Sequence, residues 1–355
     1  MPSSNWHVGA VRAREAMIEV QKVMGPGGDW DGVLIAHCDT GYTNHAVFNL
    51  ASARPSLLVD LGVNFMEPAA TTALDPLNFG GGLGTAPGHG TRTGGALCGN
   101  LAGTYVGLAP SVPVVPYRVT NSVVLTGRTI LNLAAAIDHA VDRNAADVIS
   151  ISLGVQSVFG NVKQMRVLGR AVDRAYSAGV IVVGAGGQTK DAPELVAFDV
   201  YPGRFSRVIG VGGISADMKM CFDYEVGRDS IDVWAPADDI RRPNSVLGQP
   251  EPFMDVAGQG DGTSYATVHV AAAAAMWLRV HGMALAAGGY LGWKRVEAFR
   301  SLLRSTKQKL AGNRVRAKAP PAGTGILDCL ALIQAPLPAL SSLKESKALA
   351  ENEIH

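Results

Sequence analysis

Three short segments carry side chains that could do covalent chemistry. Asp39-Thr40-Gly41 places a carboxylate just past an apolar run. Gly88-His89-Gly90-Thr91 sets an imidazole between glycines. Gly262-Thr263-Ser264-Tyr265-Ala266 puts a hydroxyl at the head of an Ala-rich stretch. Brought together, such groups make a nucleophile, a base and a carboxylate that orients the base. That set suits acyl transfer. Taken singly, each residue has a plainer reading. Asp39 fits a turn or a cap, His89 is one of eight histidines, and Ser264 is a good helix N-cap. Asp-Thr-Gly also marks paired aspartyl nucleophiles, but no second copy is present. The conjunction of the three is what has weight.

The elements that must position them follow from patterning. Residues 32–38 read as a buried strand that ends at Asp39. Strands at 112–119, 148–152, 180–184 and 208–212 are separated by helices at 129–143 and 164–178. In the first helix Leu131, Ala134, Ala135, Ile137, Ala140 and Val141 recur at helical spacing. Short β-branched runs between amphipathic helices indicate parallel βαβ units covered on both faces. The expected class is α/β, three layers, with a mostly parallel central sheet flanked by helices. Strand C-termini and helix N-termini form the functional edge of such a sheet, and all three segments fall there. Residues 5–23 read as one amphipathic opening segment, 54–88 as a long irregular stretch, 93–101 as a helix and 263–281 as a buried helix.

Composition excludes several classes. Lys and Arg total 31 and Asp and Glu 30, a net +1, so the basic excess of a nucleic-acid binder is missing. The longest strongly apolar run, 268–278, is broken by His269 and falls short of the about 20 residues that a membrane span needs. Arg12, Arg14, Glu15, Glu19 and Lys22 break any apolar stretch near the N-terminus, so no signal peptide is read there. Cys38, Cys98, Cys221 and Cys329 are widely spaced. Without a CxxC or Cys/His spacing, buried free thiols are expected rather than zinc ligands. Glycine is abundant, 42 of 355 residues, with no low-complexity tract, which points to tight turns and close backbone approaches.

The order Asp, His, Ser separates this chain from scaffolds that begin with His or Ser. With these motifs the chain resembles the subtilisin-like serine proteases, the subtilase family, from about Trp6 to Leu278 and more weakly to about Leu330. Supporting text includes residues 148–154, Gly107-Leu108-Ala109-Pro110, Tyr201-Pro202-Gly203 and Ala235-Pro236. The resemblance implies Asp39, His89 and Ser264 as the catalytic residues of a serine endopeptidase. It implies substrate binding as an added strand beside Ser152, Leu153 and Gly154, with Leu125, Thr126 and Gly127 as the opposite wall. Val200 stands where the floor of the specificity pocket is expected. Residues 1–335 then form the catalytic domain, and 336–355 a C-terminal tail, helical or frayed.

Departures from the family pattern set further expectations. Gly187 stands where the family carries an Asn that donates to the oxyanion, with Gln188 next to it. Backbone donors alone, a swing of Gln188, or a weak or silent fold that only binds peptides are the competing readings. A peptide-processing acyl transferase is a further alternative. Tyr265 replaces the commoner Met, and Val268 the usual Pro. The acidic residue of the family's N-terminal calcium site is missing at His45-Ala46-Val47. Neither cofactor nor metal is therefore expected, and a weaker calcium site elsewhere stays open. Expected partners are a protein or peptide substrate and a propeptide or inhibitor, with no nucleic acid and no membrane span. The family resemblance favours a secreted or periplasmic protein, and Met1 as native start would favour the cytoplasm.

Overall fold

The computed structural model describes residues 5–25, 28–78, 80–82, 84–102, 105–156, 161–187, 200–222, 230–245, 247, 253–254, 260–313 and 325–348. Strand β1, Ile35–Asp39, lies inside the sheet with every residue buried. Six further strands run parallel in the same sheet: β2 Val63–Asn64, β3 Val114–Arg118, β4 Val148–Ile151, β5 Ile181–Ala185, β6 Ile209–Ile214 and β7 Val233–Pro236. Their spatial order is β7-β6-β5-β4-β1-β3-β2. Ile35 lies opposite Val114 on one side and Val148 on the other. Lys219–Phe222 adds to β6 antiparallel, and Gly312–Asn313 pairs with it in turn.

Helices cover both faces. Those described are α1 Trp6–Ala10, α2 Ala13–Met24, α3 His89–Cys98, α4 Arg128–Asp142, α5 Val162–Ser177, α6 Thr263–Ala287, α7 Trp293–Ser305 and α8 Cys329–Gln334. Alternate strand residues feed two cores. Ile35, Val148, Ile181 and Val183 join the side of α2, α3, α6 and α8. Ala36, Cys38, Ile149 and Val182 join the side of α4 and α5. Coverage of both faces is the reason these strands are apolar throughout rather than alternating.

The connection from β3 to β4 passes β1, so the strand order reverses at β1. Such a reversal opens a crevice beyond the strand C-termini, where α/β proteins place their ligands. Asp39 ends β1 and Ser152 follows β4, so both stand at that crevice.

Some elements differ from expectation. The opening segment is two helices. Arg12 breaks it with φ 51, and its guanidinium binds Asp328 through two hydrogen bonds, Nε to Oδ1 at 2.9 Å and Nη2 to Oδ2 at 2.5 Å. Asp328 also caps α8 by accepting from the Ala331 N–H. The helix placed at 93–101 begins earlier, at His89, and residues 100–101 form a short strand. Helix α6 is longer than read, 25 residues. It is the one helix among the described residues long and apolar enough to cross a membrane, yet every residue from Tyr265 to Leu278 is buried in the domain core. Five consecutive alanines, 271–275, let it lie close against the sheet, and a helix apolar all round is a buried one. Residues 336–348 hold a single 3-10 turn, Leu340–Ser342, and otherwise run without helix across the domain. Cys38, Cys98 and Cys329 are free and buried, and the Cys221 side chain lies outside the described residues.

Candidate active site

Helix α3 enters the sheet edge so closely that only glycine fits at position 90. A Cβ there would stand 2.0 Å from the Gly41 carbonyl oxygen. That approach carries His89, the first residue of α3, to the end of β1. His89 Nδ1 donates to Asp39 Oδ1 at 2.7 Å, and His89 Nε2 lies 3.2 Å from Ser264 Oγ. Ser264 sits in the first turn of α6, where helix N–H groups have no intrahelical acceptor.

Asp39 is fully buried. Burial alone would raise its carboxyl, but the charge and hydrogen bond of His89, with His37 and the Thr40 N–H, outweigh it and hold Asp39 below the usual carboxylate range. The group therefore stays ionised beside the imidazole. Thr40 N–H donates to Oδ1 at 2.7 Å and Thr93 Oγ1 to Oδ2 at 3.2 Å. With three donors around it, the carboxylate has a defined rotamer and can fix the imidazole tautomer with a proton on Nδ1.

Sequence reasoning missed the residues that brace this pair. Asp75, in the long irregular stretch, accepts from Thr40 Oγ1 at 2.6 Å, from Gly88 N–H at 2.9 Å and from Leu77 N–H at 2.9 Å. It therefore ties the turn after Asp39 to the turn before His89. Arg118, 1% exposed, ends β3 opposite Asp39 and donates to the Thr40 carbonyl at 2.7 Å while binding Glu67. His37, two residues before Asp39 on β1, lies 3.0 Å from Thr93 Oγ1, and burial first of all lowers its pKa, keeping it neutral. Only the alternation of β1, which puts His37 and Asp39 on one face, could have flagged one of them.

The cleft beside Ser264 has a volume of about 410 Å³. Of the residues singled out from sequence, Ser152, Leu153, Gly154, Gly187 and Val200 line it together with His89 and Ser264. Ser264 Oγ donates to the Ser152 carbonyl at 3.1 Å, and Ser152 Oγ donates to the Ser264 carbonyl at 2.9 Å. Val200 stands over Gly154, where a Cβ would come within 2.3 Å of Val200 Cγ1. Thr126 and Gly127 lie outside this lining, exposed at the start of α4. Val123 and Val124 take that wall instead, because the backbone of 123–125 is hydrogen-bonded to Gly154. Gln188 lies outside the described residues. Arg92 and Arg242 also line the cleft, unforeseen. Arg242 donates to the Tyr265 hydroxyl at 2.6 Å, which gives the unusual Tyr265 a polar partner.

The model described as the subtilase family matches residues 31–319. The chain belongs to the subtilase family. It is a serine protease of the subtilisin type. Subtilisin DY from Bacillus licheniformis is 28% identical over 264 residues, covering 74% of this chain and 82% of that protein. Subtilisin NAT from Bacillus subtilis subsp. natto is 29% identical over 232 residues, 65% of this chain. The matched region spans about half of subtilisin NAT, 53% of its length. Among solved structures, a protease from Pseudoalteromonas arctica aligns with a TM-score of 0.67 and 22% identity, over 93% of this chain and 96% of that one. MycP1 with its N-terminal propeptide removed aligns with a TM-score of 0.64 and 20% identity, over 94% and 99%. These two likenesses speak for the fold.

Two positions singled out from the sequence take a particular form here. Gly187 has φ 85, in the left-handed region that favours glycine. Gly187 therefore offers the cleft no side chain, and its backbone would strain most side chains placed there. His45 is buried and accepts the Val47 N–H on Nδ1, capping a 3-10 turn. No cluster of three or more His, Cys, Asp or Glu that could hold a metal occurs among the described residues.

Proposed function

We propose that this subtilase is an endopeptidase in which Ser264 is the nucleophile, His89 the general base and then acid, and Asp39 the group that orients His89. The observation that carries the reading is the unbroken chain Asp39–His89–Ser264, at 2.7 and 3.2 Å, opening onto a cleft at the sheet's reversal point. Ser264 Oγ attacks a peptide carbonyl carbon, and its proton passes to His89 Nε2. The tetrahedral intermediate collapses as His89 gives that proton to the leaving amine. Water then repeats the sequence on the acyl-enzyme. Asp39 stays ionised throughout and stabilises the imidazolium.

At rest the single Ser264 hydroxyl proton has two acceptors in reach, the Ser152 carbonyl at 3.1 Å and His89 Nε2 at 3.2 Å. A substrate whose N–H takes the Ser152 carbonyl turns that proton towards His89, so binding and activation are coupled. The Ser264 backbone N–H, at the positive end of α6, is the donor proposed for the developing oxyanion. Gly187 contributes backbone only. A protein or peptide is the proposed substrate, and a propeptide or inhibitor that fills the same cleft is the proposed partner.

Labelling with a sulfonyl fluoride, followed by peptide mapping, tests the assignment. The label is expected on Ser264, and Ser264→Ala should lower kcat by about 10⁶, the loss seen when the subtilisin serine is removed. Labelling of another serine, or a fully active mutant, refutes it.

A further inference from the structure

Helix α7 sets Glu297, Arg300, Ser301 and Arg304 along one face at helical spacing. The C-terminal segment crosses that face, held by Arg207 Nη2 on Glu345 at 2.8 Å, Arg207 Nε on the Ser346 carbonyl at 3.1 Å and the Ser346 N–H on Tyr176 OH at 2.8 Å. Between helix and segment lies a cavity of about 600 Å³, remote in the fold from Ser264. Arg204, Arg300, Arg304 and Lys344 line it, against the two carboxylates Glu297 and Glu345.

Both carboxylates are already engaged. Glu297 accepts from Tyr176 OH at 2.8 Å and Ser346 Oγ at 2.7 Å, and Glu345 from Arg207. Beneath them Asp232 accepts from Arg300 Nη1 at 2.7 Å and pairs with Arg304 Nη2 at 2.5 Å. Arg304 adds its charge from the helix and Lys344 from the facing segment. The decisive group is Arg300. It is 5% exposed, and its Nη2 has no hydrogen-bond acceptor, while its Nε has only the ion pair with Glu297 at 3.3 Å. Buried guanidinium N–H groups are normally satisfied, and one that is not asks for an acceptor from outside the chain.

We propose that this cavity is a second binding site, for a phosphate group, free or on a small organic carrier, which pins the C-terminal segment to α7. A tetrahedral oxyanion offers acceptor oxygens in several directions at once. That suits guanidinium forks on one helix and an ammonium, Lys344, from the facing segment better than a planar carboxylate does.

The test is thermal unfolding and titration calorimetry of the full chain with inorganic phosphate, at constant ionic strength made up with sodium chloride. A saturable rise in Tm with phosphate, absent with chloride, is expected. Lys344→Ala and Arg304→Ala should each weaken phosphate binding about tenfold or more, with peptide cleavage unchanged. Should Arg304→Ala fail to fold, Lys344→Ala alone decides the matter. Tighter binding of glycerol phosphate than of inorganic phosphate supports an organic carrier, and equal binding supports the free ion. No saturable effect, or the same effect in wild type and Lys344→Ala, overturns the proposal.

Discussion

Val124 is bridged to Gly154 in parallel register. Gly154 N–H donates to the Val123 carbonyl at 2.9 Å, and Leu125 N–H donates to the Gly154 carbonyl at 2.8 Å. Val123 N–H in turn donates to the Gly84 carbonyl at 2.9 Å. The chain's own segment thus holds the backbone groups beside which an extended substrate is expected to add. A substrate that pairs with Gly154 must break these bonds first. Each backbone hydrogen bond contributes only about 0.5–1.5 kcal/mol net, so gain and loss nearly cancel. Lengthening a peptide on the N-terminal side of the scissile bond from two to four residues should change kcat/KM by less than about threefold. Leu125→Pro, which removes one of the two donors, should enlarge that gain. Steady-state kinetics on a peptide ladder decides; a gain above about tenfold in the wild type would show that the bridge is no obstacle.

Val200 lies against Gly154 in the cleft; the subtilase resemblance sets it at the floor of the pocket for the residue before the scissile bond, and on that reading the pocket is shallow. Overpacking costs typically 1–3 kcal/mol, enough to disfavour large rings. Small and medium apolar residues should be preferred to Phe and Tyr. Val200→Gly should raise kcat/KM for Phe about tenfold relative to Ala. A peptide-library profile of the wild type dominated by aromatics at that position counts against this.

The subtilase resemblance sets Gly187 at the position of the family's oxyanion-donating Asn, and on that reading the side-chain donor is missing. In subtilisin, loss of that donor costs about 10²–10³ in kcat. Charge builds on the oxygen only in the transition state, so the effect belongs to kcat and not KM. Gly187→Asn is expected to raise kcat on an activated peptide substrate with KM little changed. The position has φ 85, where Asn is among the residues that tolerate a left-handed backbone, at a cost below the 1–2 kcal/mol of ordinary side chains. A folded variant with unchanged kcat would mean that the donor set is already complete.

His7 of α1 stacks on His269 of α6, with ring centroids 5.3 Å apart and planes at 13°. Burial first, and then Arg241, lower His7 from the ordinary 6.5 to about 4. His269 is lowered well below its usual value by burial and by His7. A folded pKa below the unfolded one means that the unfolded chain binds more protons in between. Stability from His7 is therefore full above about pH 6.5 and is lost as pH falls to about 4, on the order of 3 kcal/mol in all. Asp39 is also lowered, but its contribution is lost only as pH falls below the usual carboxylate range, so the windows separate. Melting temperature should drop steeply between pH 6.5 and 4 and less steeply in His7→Leu. Parallel curves for the two proteins would exclude the histidine pair as the cause.

The covalent chemistry was legible because it depends on residue type and on short-range spacing. Gly88-His89-Gly90 and Gly262-Thr263-Ser264 each join a loop to a helix, and Asp39 ends an apolar strand; local rules suffice to put all three at one edge of a parallel sheet. The apolar runs at 148–152 and 180–184 carried the sheet itself, since strands buried on both faces need no alternation to be recognised. What the sequence could not determine depends on contacts between distant segments. Asp75 reaches back to Thr40 and Gly88, and Arg118 reaches Thr40 from the neighbouring strand, and no periodicity links such positions. The opening segment became two helices because Arg12 is held by Asp328, 316 residues away. The wall of the cleft fell at Val123 and Val124 rather than Thr126 and Gly127 because cross-chain hydrogen bonds to Gly154 set the register. Helix and strand are local responses to side-chain pattern, whereas register, bracing and cavity shape are settled only when the folded chain brings remote donors and acceptors within about 3 Å of one another.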